Sequence, residues 1–443
     1  MSPTPPITVH VLKDLSPDQR EKLLERAEVG LDHFIDKVGP IIEAVATEGD
    51  AALARFAQEF DKSPVAANAI AATPADFDAA FATVEPEMIK VLEMAADNVR
   101  RFHEAQMPQE FWLKEMSPGV YCGERASPIP SVACYVPRGK GSFPSVVNMT
   151  AIPAVVAGVP QPIIVTPPGP DGKVDAATLV AARIAGVEEV FKCGGAQAVA
   201  AVAYGTETVP RCAKIVGPGS PWVVAAKRML SGRIDPGPPA GPSEAIVLAD
   251  ETANPKVAAL DLLNESEHGP DSSAYLVTNS RAVAEGVLAA IPGYWAHMGD
   301  ERTGFSHTVL TGARGGIVIC DTMDQAIAFT NDYAPEHLQV HAKSPFDYLG
   351  ALKHAGEILL GEHSAICLGN YALGPNAVLP TNGAATTRSP LGVHDYLKLT
   401  SVAHVTKRGY DRLAPSVHRF AQYEGFDAHA NAVSPLRDKA FSE

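Results

Sequence analysis

SVACYVP (residues 131–137), PSVVNMTAIPAVVAG (144–158) and QPIIVTPP (161–168) decide the fold, because they read as strand, helix and strand. Each outer stretch is a short apolar run closed by proline, and the middle one is an apolar stretch of helical length. Two such runs joined across a helix make a βαβ unit, which requires a parallel sheet buried on both faces. The pattern continues through AATLVAARIAG (176–186), EVFKCGG (189–195), AQAVAAVAYG (196–205), AKIVGPG (213–219) and AIVLAD (245–250). A second series, SAYLVTN (273–279), GGIVICD (315–321) and GEILLG (356–361), predicts a second α/β domain.

Upstream the spacing changes. SPDQREKLLERAEVGLDHFIDKV (16–38) opens with Ser16 as N-cap, Pro17 at the first helical position and Gln19 where a capping box needs it. AALARFAQEF (51–60) and EMIKVLEMAADNVRRFHEA (87–105) repeat apolar residues every three or four positions, so this region is helix-rich. The last 60 or so residues read as an appended segment of turns and short helices.

Composition excludes some functions. The 443 residues exceed one simple core, and 46% hydrophobic with 20% charged residues is globular rather than disordered. The formal charge of -15, from 36 basic and 51 acidic residues, disfavours nucleic-acid binding and obliges any anionic ligand to find local arginines or lysines. The six cysteines show no CxxC spacing and read as thiols of a reducing compartment. The amino terminus lacks a basic run followed by an apolar core, and the most apolar stretch is broken by prolines, so the expectation is a cytoplasmic protein with no membrane association.

Three constellations could carry chemistry. In NESEHGPDSSAYL (264–276), Glu265 and His268 stand three apart on one helical face, either a metal half-site or solvated surface charge. Further ligands would have to come from elsewhere, with Asn370 in CLGNYALGPN (367–376) and His429 in YEGFDAHANAV (423–433) as candidates. NDYAPEHLQV (331–340) sets Glu336 beside His337, an acid and an imidazole able to divide base duties, or else a solvated loop pair. The turns in CGGAQAVA (193–200) and VGPGSPWVVAAK (216–227) join strand to helix through glycines, a geometry that serves tight turning or phosphate binding. G-x-G-x-x-G itself is absent.

These segments stop being independent when taken in order. PPAGPSEAIVLADETANP (238–255), AALDLLNESEHGPDS (258–272), YAPEHLQV (333–340), GPNAVLPT (374–381) and EGFDAHA (424–430) resemble, in order and spacing, the histidinol dehydrogenase family. The resemblance extends through YVPRGKGSFPS (135–145) and GGAQAVAAVAYGTE (194–207) and covers nearly the whole chain. It implies a homodimeric enzyme with Zn2+ and NAD that oxidises a primary alcohol through an aldehyde to a carboxylate, using two NAD. It further implies α/β architecture with two incomplete Rossmann-like domains built on parallel-rich sheets. The expected boundaries are a helical leader at 1–32, a first domain of 33–118 with 243–383, a second, NAD-side domain at 119–242, and a C-terminal dimerisation tail at 384–443.

By position, the resemblance gives Glu336 the activation of water and His337 the role of base. Glu265, His268, Asn370 and His429 fall at the zinc ligands, Tyr135, Gln197 and Ser220 at NAD contacts, and Ser243 at a substrate contact. His429 and Glu424 would reach into the neighbouring subunit's site. The departures are informative. The family usually has glutamine and aspartate where this chain has Glu265 and Asn370, so a carboxylate and an amide have exchanged places, which still suits zinc. At Ser220 the family commonly has asparagine. Ile366 in SAICLGNY (364–371) stands where a glutamate tends to sit, and Ala377 where the family has histidine. Neither can pair with the amine and imidazole of histidinol. Arg138 occupies a glycine position and Arg388 a small-residue position, which points to an anionic group, the other reading being arginines that face solvent.

Together these changes resemble the sulfopropanediol 3-dehydrogenase branch of the family, which oxidises 2,3-dihydroxypropane-1-sulfonate to 3-sulfolactate. The expected partners are therefore a small anionic diol and a second copy of the chain. Competing readings are histidinol oxidation, a zinc hydrolase using Glu265 or Glu336 as base, and a non-catalytic metabolite binder.

Overall fold

A computed structural model describes residues 6–26, 31–138, 141–238 and 241–442. The chain divides into two compact units, one of residues up to 106 with 129–396 and one of 107–128 with residues from 397 onward. The first unit opens with strand β1 (Val9–Val11) and helices α1 (Pro17–Leu24), α2 (Leu31–Glu48), α3 (Asp50–Phe60), α4 (Pro74–Thr83) and α5 (Pro86–Ala105). Ser16 and Gln19 form the expected capping box, with Gln19 N–H donating to Ser16 Oγ at 3.3 Å and Ser16 N–H to Gln19 Oε1 at 2.9 Å. Strands β2 (Phe111–Ser117) and β3 (Val120–Pro128) belong to the second unit.

The chain then alternates as β4 (Ser131–Tyr135), α6 (Pro144–Val156), β5 (Gln161–Thr166), α7 (Ala176–Ala185), β6 (Val190–Lys192), α8 (Gly195–Tyr204), β7 (Lys214–Val216) and α9 (Pro221–Met229). A second series follows with β8 (Glu244–Ala249), α10 (Pro255–Ser266), β9 (Ser273–Thr278), α11 (Arg281–Trp295), α12 (Asp300–Thr311) and β10 (Gly315–Ile319). It ends with α13 (Met323–Tyr333), β11 (His337–His341), α14 (Phe346–Leu349), β12 (Glu357–Leu360) and α15 (Ile366–Tyr371). The second unit closes with β13 (Leu397–Val405), α16 (Lys407–Tyr423), α17 (Asp427–Asn431) and α18 (Pro435–Ser442).

Both α/β series form wholly parallel sheets. The four-stranded sheet has the order β6-β5-β4-β7 and the six-stranded sheet β1-β10-β9-β8-β11-β12. Apart from the edge strand β1, each series starts at a central strand, β4 or β8, steps outward twice and returns to the other side, the winding of a Rossmann-like half. The second unit has an antiparallel sheet in the order β13-β3-β2.

The expected domain boundaries need correction. Helices α2 and α3 do not join the 243–383 segment; Val38, Ile42, Val45, Leu53 and Phe56 share a core with Ala133, Ile163, Ile215 and Val223 of the four-stranded sheet and its helices. The cause lies in α8, whose Ala196–Ala203 run is buried along its whole length and so needs cover on its outer side. Residues 107–118 go to the antiparallel unit, and 384–396 stay with the first unit, where Tyr396 is fully buried and donates to Thr150 O at 2.7 Å. The leader is more than a helix: β1 adds to the edge of the six-stranded sheet beside β10, and Leu23 enters the core around Ile246 and Phe329.

Gly316 makes that edge pairing possible. It holds φ +114°, and a Cβ there would lie 2.2 Å from the carbonyl oxygen of Thr8. Gly316→Ala is therefore expected to cost ~1–3 kcal/mol, read as a lower urea midpoint; an unchanged midpoint would contradict the pairing of β1 with β10.

Candidate active site

Strand β11 reads His-Leu-Gln-Val-His, and its alternation sorts the side chains. Leu338 and Val340 enter the apolar core with Ile246 and Phe329. His337 and Gln339 are in register with Ala245 and Val247 of β8 and with Glu357 and Leu359 of β12, so these residues share the opposite face. Helix α10 covers it, bringing Asp261 and Glu265 onto buried polar residues. A helix joining parallel strands runs antiparallel to them, so the last turn of α10 returns to the amino edge of the sheet, where His337 begins β11 and Glu244 begins β8.

At that edge, Glu336 Oε2 accepts the backbone N–H of Glu244 at 3.0 Å, and its Oε1 lies 4.0 Å from His337 Nε2. His337 Nδ1 pairs with Glu357 Oε2 at 3.1 Å. Glu336 and His337 are both buried, so the reading of a solvated loop pair does not hold. Burial pushes the Glu336 carboxyl well above its ordinary range, against the pull of His337 and with reinforcement from Glu265. For His337 burial opposes the charged form, but Glu265, Glu357 and Glu336 outweigh it and hold the imidazole above its ordinary value. Glu244 is pushed up to about 7 by burial, with Arg26 Nε 3.1 Å away opposing the rise. The Arg26 guanidinium also lies 3.4 Å from the ring centroid of Tyr333, an arrangement not visible in the sequence.

Glu265 is fully buried; its Oε1 lies 3.4 Å from the amide nitrogens of both Asn264 and Asn370. Its Oε2 is buried without a hydrogen-bond partner and lies 3.6 Å from His268 Nδ1. His268 Nδ1 is also 3.0 Å from Ser243 Oγ. A buried carboxylate oxygen without a donor is costly, and a cation removes the cost. Glu265, His268 and Asn370 thus fit zinc as an oxygen, nitrogen and amide set. Among the described residues no group of three His, Cys, Asp or Glu side chains is assembled for a metal. His429 lies on α17 and Glu424 at the end of α16, both exposed and both in the second unit.

The residues expected to meet NAD gather at the carboxyl edge of the four-stranded sheet. Tyr135 ends β4, and its hydroxyl accepts the N–H of Gly195 at 3.0 Å. Gln197 is buried in the first turn of α8, and Ser220 is the exposed N-cap residue of α9. Neither N-cap residue, Gly194 or Ser220, supplies a side-chain cap, so apart from the Gly195 N–H held by Tyr135, first-turn N–H groups remain for an anion such as a pyrophosphate. Gly217 has φ +110°, and a Cβ there would lie 2.3 Å from Tyr135 O, so the turn after β7 demands glycine. These features fit the nicotinamide cofactor.

The two arginines separate. Arg138 Nη1 donates to Lys173 O at 3.3 Å and packs over Gly169, so it lies with the loop after β5 rather than beside Glu265 or His337. Asp61, which the sequence did not single out, is pushed up to about 6 by burial and held down in part by Arg138. Arg388 is exposed and lines a cavity of about 640 Å³ with Lys214, Asp235, His394 and Asn376. A neighbouring cavity of about 510 Å³ reaches Glu357 and shares Phe102, Pro375, Asn376 and Pro390 with it. Ile366 is fully buried against Ala245 and Leu359, on the face that carries His337. Glu357 escaped sequence reading because GEILLG looks like a plain apolar strand, and only the β11–β12 register places its carboxyl beside His337.

Two Rossmann-like sheets, one edged by uncapped helix ends and the other by a buried carboxylate–imidazole site, define an α/β oxidoreductase. Comparison with known proteins narrows the class. The family model described as histidinol dehydrogenase matches residues 24–436. A "Histidinol dehydrogenase homolog" of Colwellia psychrerythraea is 62% identical over 98% of this chain and 97% of its own length. A "Histidinol dehydrogenase" of Synechocystis is 46% identical over 95% of this chain and 97% of its own. The crystal structure of histidinol dehydrogenase from Elizabethkingia anophelis superposes with a TM-score of 0.91 at 32% identity, covering 99% of both chains. The chain belongs to the histidinol dehydrogenase family, whose members are NAD-dependent dehydrogenases with zinc. Among the described residues no helix is long and apolar enough to cross a membrane.

The electrostatics of His337 can be checked directly. Glu357 raises its pKa, so Glu357→Gln must lower it, and the neutral, base-competent imidazole then persists to more acid pH. The limb of the kcat/KM profile that reports this base is expected to move to lower pH; a shift to higher pH would contradict the arrangement.

Proposed function

We propose that this protein oxidises 2,3-dihydroxypropane-1-sulfonate to 3-sulfolactate in a zinc- and NAD-dependent, four-electron reaction. The observation that carries the reading is the character of the substrate side. Hydrocarbon at Ile366 and Ala377 offers no partner to an amine or imidazole, while Arg388 stands on the cavity adjoining the one that reaches Glu357, with no ion-pair partner among the described residues. A guanidinium so placed suits a permanent anion. Arg138 is engaged with the loop after β5, so the sulfonate is assigned to Arg388. The names of the relatives are consistent with a separate branch: those at 62% and 58% identity are called homologs, whereas the one at 46% carries the enzyme name itself.

The chain's own residues divide the work in two steps. His337, held by Glu357 through Nδ1, takes the hydroxyl proton as hydride leaves the primary carbon for NAD, giving the aldehyde and NADH. Glu336, whose raised pKa suits a base near neutrality, takes a proton from the water that adds to the aldehyde, while His337 returns its proton to the aldehyde oxygen, giving the hydrate and a free imidazole. His337 then accepts the hydrate proton as a second hydride leaves, and the carboxylate forms with a second NADH. Glu265, His268 and Asn370 would hold zinc, with His429 supplied by a second copy of the chain, and the metal would act as a Lewis acid toward substrate oxygen. Ser243, bonded to His268, sits where it can orient a hydroxyl, and Glu424 of the second copy would complete the wall. The working protein is thus proposed to be a cytoplasmic homodimer with shared sites.

The test is NADH formed per mole of limiting substrate by the zinc-loaded protein. Two equivalents are expected from the diol sulfonate and none from histidinol; two from histidinol and none from the sulfonate would overturn the proposal. His337→Asn is expected to lower turnover about a hundredfold or more, and an unaltered rate would reject the assignment of the base.

A further inference from the structure

Beneath the reacting pair, β11 carries a second buried polar group of contacts. Asp261 stands one helical turn before Glu265 on the same side of α10. Its Oδ2 accepts Gln339 Nε2 at 2.7 Å and lies 3.0 Å from His341 Nε2. Asp261 is 6% exposed, and Gln339 and His341 are 0% exposed. Gln339 Oε1 and both ring nitrogens of His341 have no hydrogen-bond partner, so the His341 contact with Asp261 is one of proximity. The cluster therefore leaves polar atoms unsatisfied in the core, and hydrocarbon of similar volume would be no less stable there.

What it provides is direction. Apolar side chains between a helix and a sheet permit sliding by fractions of a turn, whereas a carboxylate hydrogen-bonded to one fixed donor and lodged against a fixed ring does not. Gln339 and His341 project from a strand held on both sides, by β8 and β12, so the donor and the ring are fixed to the sheet. Asp261 is thereby fixed along and around the axis of α10, and Glu265, four residues on, is fixed with it. We propose that Asp261 is a positioning residue: its hydrogen bond to Gln339 and its 3.0 Å contact with His341 hold α10 in register on β11, setting Glu265 against His268 and so setting the affinity of that site for zinc. The inference rests on the zinc reading above.

The experiment uses the full chain stripped of metal, with zinc affinity measured by competition against a fluorescent chelator. NAD affinity by calorimetry and the melting temperature of the metal-free protein serve as companions. Wild type that binds no zinc would remove the zinc reading itself. Given binding by wild type, Asp261→Asn, which keeps the shape and removes the charge, is expected to weaken zinc by tenfold or more, with NAD affinity unchanged within about twofold, since that pocket belongs to the other sheet. Gln339→Met, which removes the hydrogen-bond donor to Asp261, should weaken zinc in the same sense and decides the matter alone if Asp261→Asn does not fold. A lower melting temperature with zinc affinity unchanged would mean that the cluster is only structural, and would overturn the proposal.

Discussion

The structure turns on one constraint, the burial of several carboxylates around a single imidazole where α10 meets β11. Glu265 raises the cost of charge on Glu336, Glu357 is bonded to His337, and water is largely excluded from all of them. Protonation of His337 offsets part of that repulsion. The unpartnered oxygen of Glu265 beside His268 and Asn370 is the remainder, and a divalent cation resolves it. In the proposed mechanism the same crowding would serve catalysis, because a base surrounded by carboxylates is a strong one and a carboxyl lifted toward neutrality can exchange protons at ordinary pH.

Topology explains why these groups meet at the amino edge of the six-stranded sheet, whereas ligands of wound sheets ordinarily sit at the carboxyl ends. The four-stranded sheet follows that habit, with Tyr135, Gln197 and Ser220 at the carboxyl ends of their strands or at the helix starts that follow. In the six-stranded sheet the reactive residues lie on the last turn of α10 and at the first residues of β8 and β11, so the two sheets contribute opposite edges.

Much of this was legible in the sequence, for identifiable reasons. Strand and helix alternation was plain because parallel strands buried on both faces are continuous apolar runs. The Ser16–Gln19 cap was legible because it is a contact between residues three apart. Glu265, His268, Glu336 and His337 were marked by spacing and adjacency, and the family resemblance gave them roles. What escaped depends on long-range register. No local pattern says that α2 covers α8 rather than the other sheet, that Glu357 opposes His337, or that Asp261 meets residues 78 and 80 positions further along. Arg138 and Arg388 looked equivalent as substitutions, and only the fold separates them, one onto the loop after β5 and one onto a cavity wall.

The most direct test of this account is an anomalous difference map at the zinc edge from crystals of the zinc-loaded protein. The account predicts one strong peak per subunit, coordinated by Glu265, His268 and Asn370 and completed by His429 from a second copy. A peak elsewhere, or a zinc-loaded crystal with Glu265 still unligated, would contradict it.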